Sequence, residues 1–161
     1  MNLWGVVYGC HYFVPGMRAR RRGHVLNVAS AAAFGSMPGM GAYNVTKAAV
    51  VALSETLAAE AAGDGVGVTA LCPGFFRTNI LSEAVGMLSE EQRRYVEAEM
   101  ARSKHAAADV ARLAIEAVEA GSLYAVPHAE IRWLWRAKRL APGLFARLAG
   151  TLDRRGTFSR S

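Results

Sequence analysis

Three side chains in this sequence have the types and the spacing to move a proton to or from a carbonyl oxygen: Ser30, Tyr43 and Lys47. Tyr43 and Lys47 are four positions apart in Tyr43-Asn44-Val45-Thr46-Lys47, so on a helix they share a face. A free phenol ionises near pH ~10, too high for a general base at neutrality, and an ammonium beside it stabilises the phenolate. A serine hydroxyl can meanwhile hold the substrate oxygen while the proton moves. The Tyr-x-x-x-Lys spacing by itself also fits an amphipathic helix with a packed Tyr and a solvated Lys. The surrounding pattern has to decide between the two.

Convergence of the three needs a strand end, a loop and a helix start close together. The periodicity predicts a helix from Met1 to about Arg20, with Leu3, Val6, Val7, Cys10, Phe13 and Val14 on one face. Arg18, Arg20, Arg21 and Arg22 then sit at the negative end of its dipole, and Gly23 breaks it. His24 to Ser30 reads as a short buried strand, and Ala31 to Gly41 as a loop of small residues. A second helix is predicted over Ala42 to about Ala62, where Val45, Ala49, Ala52, Leu53 and Leu57 recur at helical spacing. Gly63-Asp64-Gly65 ends it, and Val66 to Cys72 is a second strand stopped by Pro73-Gly74.

Helices are predicted from Ser89 to about Lys104, opening on a capping-box pattern Ser89-Glu90-Glu91-Gln92, and from Ala107 to Ala120. A third strand covers Leu123 to Val126, and two short basic helices follow, split by Pro142-Gly143. Helices alternating with strands imply an α/β layer with about three parallel strands. In such sheets ligands bind at the carboxyl ends of the strands, where Ser30 and the start of the second helix fall.

With these residues in place, the sequence resembles the short-chain dehydrogenase/reductase family. Ser30 stands thirteen residues before Tyr43, at the family's spacing, ahead of Tyr-x-x-x-Lys. Asn2-Leu3-Trp4-Gly5 is similar to the family's Asn-x-x-Gly on the preceding helix, and Pro15-Gly16-Met17 to that helix's usual end. Pro73-Gly74-Phe75-Phe76-Arg77-Thr78 looks like the Pro-Gly-x-x-x-Thr segment after the next strand. The resemblance runs from Asn2 to about Val126 and implies the last strands of a doubly wound, Rossmann-like sheet. It also implies that Tyr43 is the acid/base, that Ser30 polarises the substrate carbonyl, and that Lys47 assists Tyr43 and holds the nicotinamide ribose. Asn2 then positions a water behind Lys47, while Pro73, Gly74, Phe76 and Thr78 line the nicotinamide end. The reaction implied is hydride transfer between NAD or NADP and a small alcohol/carbonyl pair.

The family's Gly-rich phosphate turn, the residue that chooses NAD or NADP, and its Asn-Asn-Ala-Gly segment have no counterpart in this sequence. Gly63-Asp64-Gly65 follows a helix and precedes a strand, the wrong polarity for a phosphate loop. The expectation is therefore a C-terminal portion of a longer domain, from a truncated gene model or a degraded gene. Alone, such a chain leaves the strand at Val25 to Val28 without one neighbour, and is expected to be poorly soluble and to bind NAD(P) negligibly. A first unit over 1–130 and a basic extension over 131–161 are the domains expected.

Composition narrows the alternatives. The 161 residues carry 19 Lys+Arg against 13 Asp+Glu, a net charge of +6. Eight of those bases and one acid, Asp153, fall from Ile131 to Ser161, leaving a near-neutral body, so a nucleic-acid partner is not expected. His11, His24, His105 and His128 have no metal-ligand spacing, so they read as surface or capping residues and no metal is expected. Cys10 and Cys72 read as small buried apolar residues of a reducing compartment, and the chain as cytoplasmic.

Two surfaces invite partners. In the family, the helices matching 1–20 and 42–62 commonly form a dimer interface, so a homo-oligomer, or a non-catalytic interaction module, is the expectation. The stretch 131–155 interleaves Trp133, Trp135, Leu140, Leu144 and Leu148 with arginines and a lysine. It reads either as a helix on an anionic membrane surface or as a substrate-side lid or oligomer contact. The second is preferred, because the family's C-terminal extension is variable and often does those jobs.

Overall fold

The computed structural model describes residues 2–36, 38–79 and 90–154. In chain order these form α1 (Trp4–Ala19), β1 (Gly23–Val28), α2 (Ala32–Gly35), α3 (Gly41–Ala61), β2 (Val66–Leu71), α4 (Glu90–Arg102), α5 (Ala107–Glu119), β3 (Tyr124–Ala125), α6 (Ala129–Leu140) and α7 (Pro142–Arg154). Among the described residues the sheet is three-stranded and parallel, in the order β1-β2-β3. Gly23 pairs with Val66 and Val28 with Leu71, while β3 adds only the pairs Ala70–Tyr124 and Leu71–Ala125. This is the α/β, Rossmann-like arrangement that the alternation of elements predicts.

Parallel strands covered on both faces are nearly continuous apolar runs, and β2, with five of its six residues buried, is one. Alternate side chains divide between two layers. Val25 and Val68 pack with Cys10 and Val14 of α1 and Leu57 of α3. Leu26 and Leu71 turn the other way, onto Val110 and Ala114 of α5. A third cluster closes the carboxyl ends of the strands: Ala29, Phe34, Val50, Val51, Ala70 and Cys72, joined by Ile131 and Trp135 from α6. Asn27 is buried in the first layer, where its Nδ2 donates to Ser54 Oγ (3.0 Å) and Ser54 donates onward to the Val50 carbonyl (2.7 Å). The polar pair is thus satisfied within the core.

The turn between α1 and β1 locks onto the turn between α3 and β2. Arg18 in the last turn of α1 pairs with Asp64 (3.0 Å) and Glu60 (3.6 Å). Arg21, in the left-handed region at φ 50°, donates to the Gly63 carbonyl (2.8 Å). Gly65 at φ +69° lies so close that a Cβ there would stand 2.3 Å from the Arg21 carbonyl oxygen.

Several boundaries differ from expectation. β1 ends at Val28 rather than Ser30, although Ala29 N–H still donates to Leu71 O (2.8 Å) and Ala31 N–H to Pro73 O (2.8 Å). The loop after it contains α2, too short to leave a period in the sequence; Ser30 Oγ accepts from the Ala32 N–H (3.1 Å) at its start. The end of α1 at Ala19 is as expected; Pro15 inside it removes only one helical donor. β3 shrinks to two residues as the chain turns through Pro127 to His128. Ser89 of the expected capping box lies outside the described residues. The reciprocal bond occurs instead at α5, where the Asp109 carboxylate accepts from the Ala106 N–H (2.9 Å).

β1 has no partner on its outer side among the described residues, and Val28 at its end is 52% exposed. Large aromatic residues of α1, Trp4, Tyr8, Tyr12 and Phe13, are exposed as well. Among the described residues no helix is long and apolar enough to cross a membrane.

Candidate active site

Tyr43 and Lys47 occupy the first two turns of α3, on one face as their spacing requires. The Lys47 ammonium lies 5.7 Å from the centroid of the Tyr43 ring and donates to the Val28 carbonyl at 3.1 Å. Backbone direction alternates along a strand, and Ala29 N–H points to β2, so the Val28 carbonyl points to the open edge. Lys47 therefore fixes the head of α3 to the end of β1. Burial pushes its ammonium below the ordinary lysine range, and the Cys72 thiol acts weakly the other way. That thiol is itself pushed up to about 12 by burial, so it is neutral and unreactive at pH 7, as its reading as a core residue requires.

Ser30 lies two residues past Val28. Its Oγ already accepts one hydrogen bond, from Ala32 N–H, which leaves the hydroxyl proton available to an incoming carbonyl oxygen. The neighbouring Ala31 N–H donates to the Pro73 carbonyl and ties this turn to the segment after β2. Pro73 is buried and Gly74 half-buried. Lys47, Val28, Ser30 and Pro73 are in this way brought to one end of the sheet.

The remaining expected residues are placed differently. Asn2 is exposed in the turn before α1, and Thr78 is exposed in the chain after β2. Phe76 packs onto the cluster of Leu71, Val110 and Ala125 on the α5 side of the sheet. Met37, within the loop between Ser30 and Tyr43, lies outside the described residues, as does the segment 80–89. Among the described residues, His, Cys, Asp and Glu side chains form no group able to hold a metal ion. A cavity of about 330 Å³ lies between α5, β3 and α6, lined by Leu113, Ala117, Tyr124, Arg132 and Trp135 among others. It includes none of the candidate catalytic residues.

One residue at this end escapes the sequence pattern. His128, read as a surface or capping histidine, is 3% exposed and sits over Gly74. Its Nδ1 accepts from the Gly74 N–H (3.1 Å), so the ring proton is on Nε2, which donates to the Phe75 carbonyl (2.8 Å). Burial lowers its pKa, and His105, with ring centroid 4.6 Å away, lowers it further, while the Phe75 bond and Glu130 act upward.

A second contact, from α6, reaches the loop before Tyr43. Trp135 stacks on Phe34 of α2 (4.4 Å between centroids), and Lys138 Nζ donates to Phe34 O and Ser36 Oγ, both at 2.7 Å. The basic segment therefore uses its inner face to brace the loop that joins Ser30 to Tyr43.

A family model described as short chain dehydrogenase matches residues 1–88. The chain belongs to the short-chain dehydrogenase family. A solved short-chain dehydrogenase/reductase from Burkholderia phymatum, in complex with NAD, is 34% identical, with a TM-score of 0.78 over 89% of this chain and 56% of its own. "Probable oxidoreductase EphD" of Mycobacterium tuberculosis is 44% identical over 85 residues, 51% of this chain and 14% of the relative. The 2-keto-3-deoxy-L-fuconate dehydrogenase of Xanthomonas campestris pv. campestris is 36% identical over 94 residues, 58% of this chain and 31% of that enzyme. The chain thus spans little more than half of the Burkholderia dehydrogenase and less than a third of these two curated relatives. Short-chain dehydrogenases are oxidoreductases that act with a nicotinamide cofactor on small alcohols and carbonyls.

Proposed function

We propose that this chain carries the catalytic part of an NAD(P)-dependent oxidoreductase that interconverts a small alcohol and its carbonyl. The observation that carries the reading is the Lys47 ammonium, anchored to the Val28 carbonyl at the open strand edge and 5.7 Å from the Tyr43 ring. Only one of its three hydrogens is used there, which leaves two for ribose hydroxyls.

In the direction of reduction, the Ser30 hydroxyl donates to the substrate carbonyl oxygen and fixes it beside Tyr43. The Tyr43 phenol gives that oxygen its proton, and the Lys47 charge stabilises the phenolate left behind. Asn2 holds a water that returns a proton through Lys47. Bound nicotinamide supplies the hydride, NAD and NADP being alternatives. Pro73, Gly74, Phe76 and Thr78 form the wall toward the nicotinamide. The residues of this chain fit that end of the cofactor only. Gly65, in a turn of the wrong polarity for a phosphate loop, is moreover packed against Arg21.

The reading places the protein in the cytoplasm as a homo-oligomer joined through the helices over 1–20 and 42–62. A second reading is a non-catalytic interaction module using the same surface. The exposed Trp4, Tyr8 and Tyr12, spaced by four on α1, favour it.

The test co-expresses this chain with the first half of the Burkholderia dehydrogenase and assays NADH- and NADPH-dependent reduction of a panel of small carbonyls. Tyr43→Phe is expected to lower the rate by about a thousandfold and leave cofactor binding by calorimetry unchanged. A complex that reduces nothing but persists with Tyr43→Phe supports the interaction module instead.

A further inference from the structure

The two faces of the C-terminal helices are used unequally. On α6 the inner residues Ile131 and Trp135 join the core and Lys138 holds α2. On α7 the Phe145 ring lies 5.6 Å from the Lys138 ammonium. The opposite face is apolar and bare. On α7 Leu144, Leu148 and Leu152, each four residues from the next, form a column that is 59%, 56% and 44% exposed, and on α6 Trp133 and Leu140, seven residues apart and so on one face, are 69% and 87% exposed. Leaving this much apolar surface in water is unfavourable.

The charge around the column identifies what covers it. From Ile131 to Leu152 there are five cations, Arg132, Arg136, Lys138, Arg139 and Arg147, and no acid. Arg132 and Lys138 are bonded inward, to the Val126 carbonyl and to α2. Arg136 lies over the Trp133 ring at 5.5 Å, an arrangement in which an aromatic face enters an apolar phase while the guanidinium stays at its boundary. A second copy of the chain would bring two cationic faces together, which disfavours self-association here. Apolar columns flanked by arginines, with Trp at the margin, match an anionic lipid interface, where leucines enter the acyl boundary and cations meet the headgroups.

We propose that α6 and α7 dock the protein in the plane of an anionic membrane surface through Trp133, Leu140, Leu144, Leu148 and Leu152, with Arg136 and Arg147 on the headgroups, while Arg139 stacks on the inward Trp135 ring at 5.5 Å. The same segment braces the loop before Tyr43 with its inner face, so the lid and membrane readings belong to opposite sides of one element.

Vesicle flotation of the full chain tests this, because floated protein is separated from aggregate. Vesicles of phosphatidylcholine with about 30% phosphatidylserine are expected to carry the chain upward, and pure phosphatidylcholine to carry far less. Arg136→Gln with Arg147→Gln is expected to weaken binding about 30-fold, and Leu144→Ser with Leu148→Ser by a similar factor. Circular dichroism checks that each variant is folded; if the leucine pair unfolds the chain, the arginine pair alone decides. Failure to float on anionic vesicles, equal flotation on neutral ones, or wild-type flotation of the folded arginine variant overturns the proposal. None of these outcomes depends on turnover.

Discussion

His128 holds Gly74 by a single ring nitrogen: Nδ1 accepts the Gly74 N–H at 3.1 Å, across 54 residues of sequence. The absence of a side chain at Gly74 is what lets the ring approach, since a Cβ there would stand 3.1 Å from the His128 ring. Because Nε2 is committed to the Phe75 carbonyl, the neutral ring satisfies two backbone groups at once, and the protonated ring cannot. Protonation turns Nδ1 from acceptor to donor, facing another donor.

This arrangement gives the fold a pH dependence of defined sign. The folded His128 has a pKa below its unfolded value of 6.5, and so has His24, in both cases first because burial disfavours the charged ring. The unfolded chain therefore binds more protons as pH falls through 6.5, and stability is lost on acidification and complete above that value. Each ring contributes at most about 1.4 kcal/mol per pH unit. Urea melts at about pH 7.5 and about pH 5.5 are expected to show a lower midpoint in acid, and His128→Gln to reduce that difference. An unchanged difference in the variant would remove His128 as its source.

Gly65→Ala is expected to destabilise the chain by about 2–4 kcal/mol. The new Cβ meets the Arg21 carbonyl at 2.3 Å and forces a side chain into φ +69°. Gly63→Ala, two residues away with open space around it, serves as the control and is expected to cost under about 1 kcal/mol. Chemical denaturation of both variants makes the comparison.

Lys138→Met keeps most of the stem but removes the ammonium that bonds Phe34 O and Ser36 Oγ. Ser36 is held at φ 50° in the left-handed region, so its loop is expected to relax once released. Amide exchange at Phe34 to Ser36 should accelerate about tenfold, with the amides of β2 unaffected. Uniform acceleration across the chain would mean general destabilisation instead.

The parts of this molecule that were legible in advance are those with local signatures. Tyr43 and Lys47 stand out because a four-residue spacing on an apolar, periodic helix has one geometric meaning. The placing of β2 follows from Val66 to Leu71 being almost wholly apolar before Pro73-Gly74. α2 was not legible, since four residues leave no period, and β3 was overestimated because Val126 resembles a strand residue although Pro127 follows it. His128 escaped for a different reason. Its partner lies 54 positions away, and the only trace in the sequence is a glycine whose emptiness makes room for a ring. Relationships of that kind are written in tertiary packing and leave no spacing to read.

The pairing of β1 with β2 also determines when this structure can form. Gly23 finds Val66, and Ala70 finds Tyr124, so each rung of the sheet closes a loop of more than about forty residues. Helices such as α3 and α5 form from neighbours within microseconds, whereas rungs between such distant partners close much later. During that interval Val66 to Leu71 waits as an unprotected apolar strand, and among the described residues the outer side of β1 has no partner even after the sheet has closed. The yield of native chain is then set by a race between intramolecular closure, which dilution favours, and strand-to-strand encounters among molecules, which rapid synthesis favours.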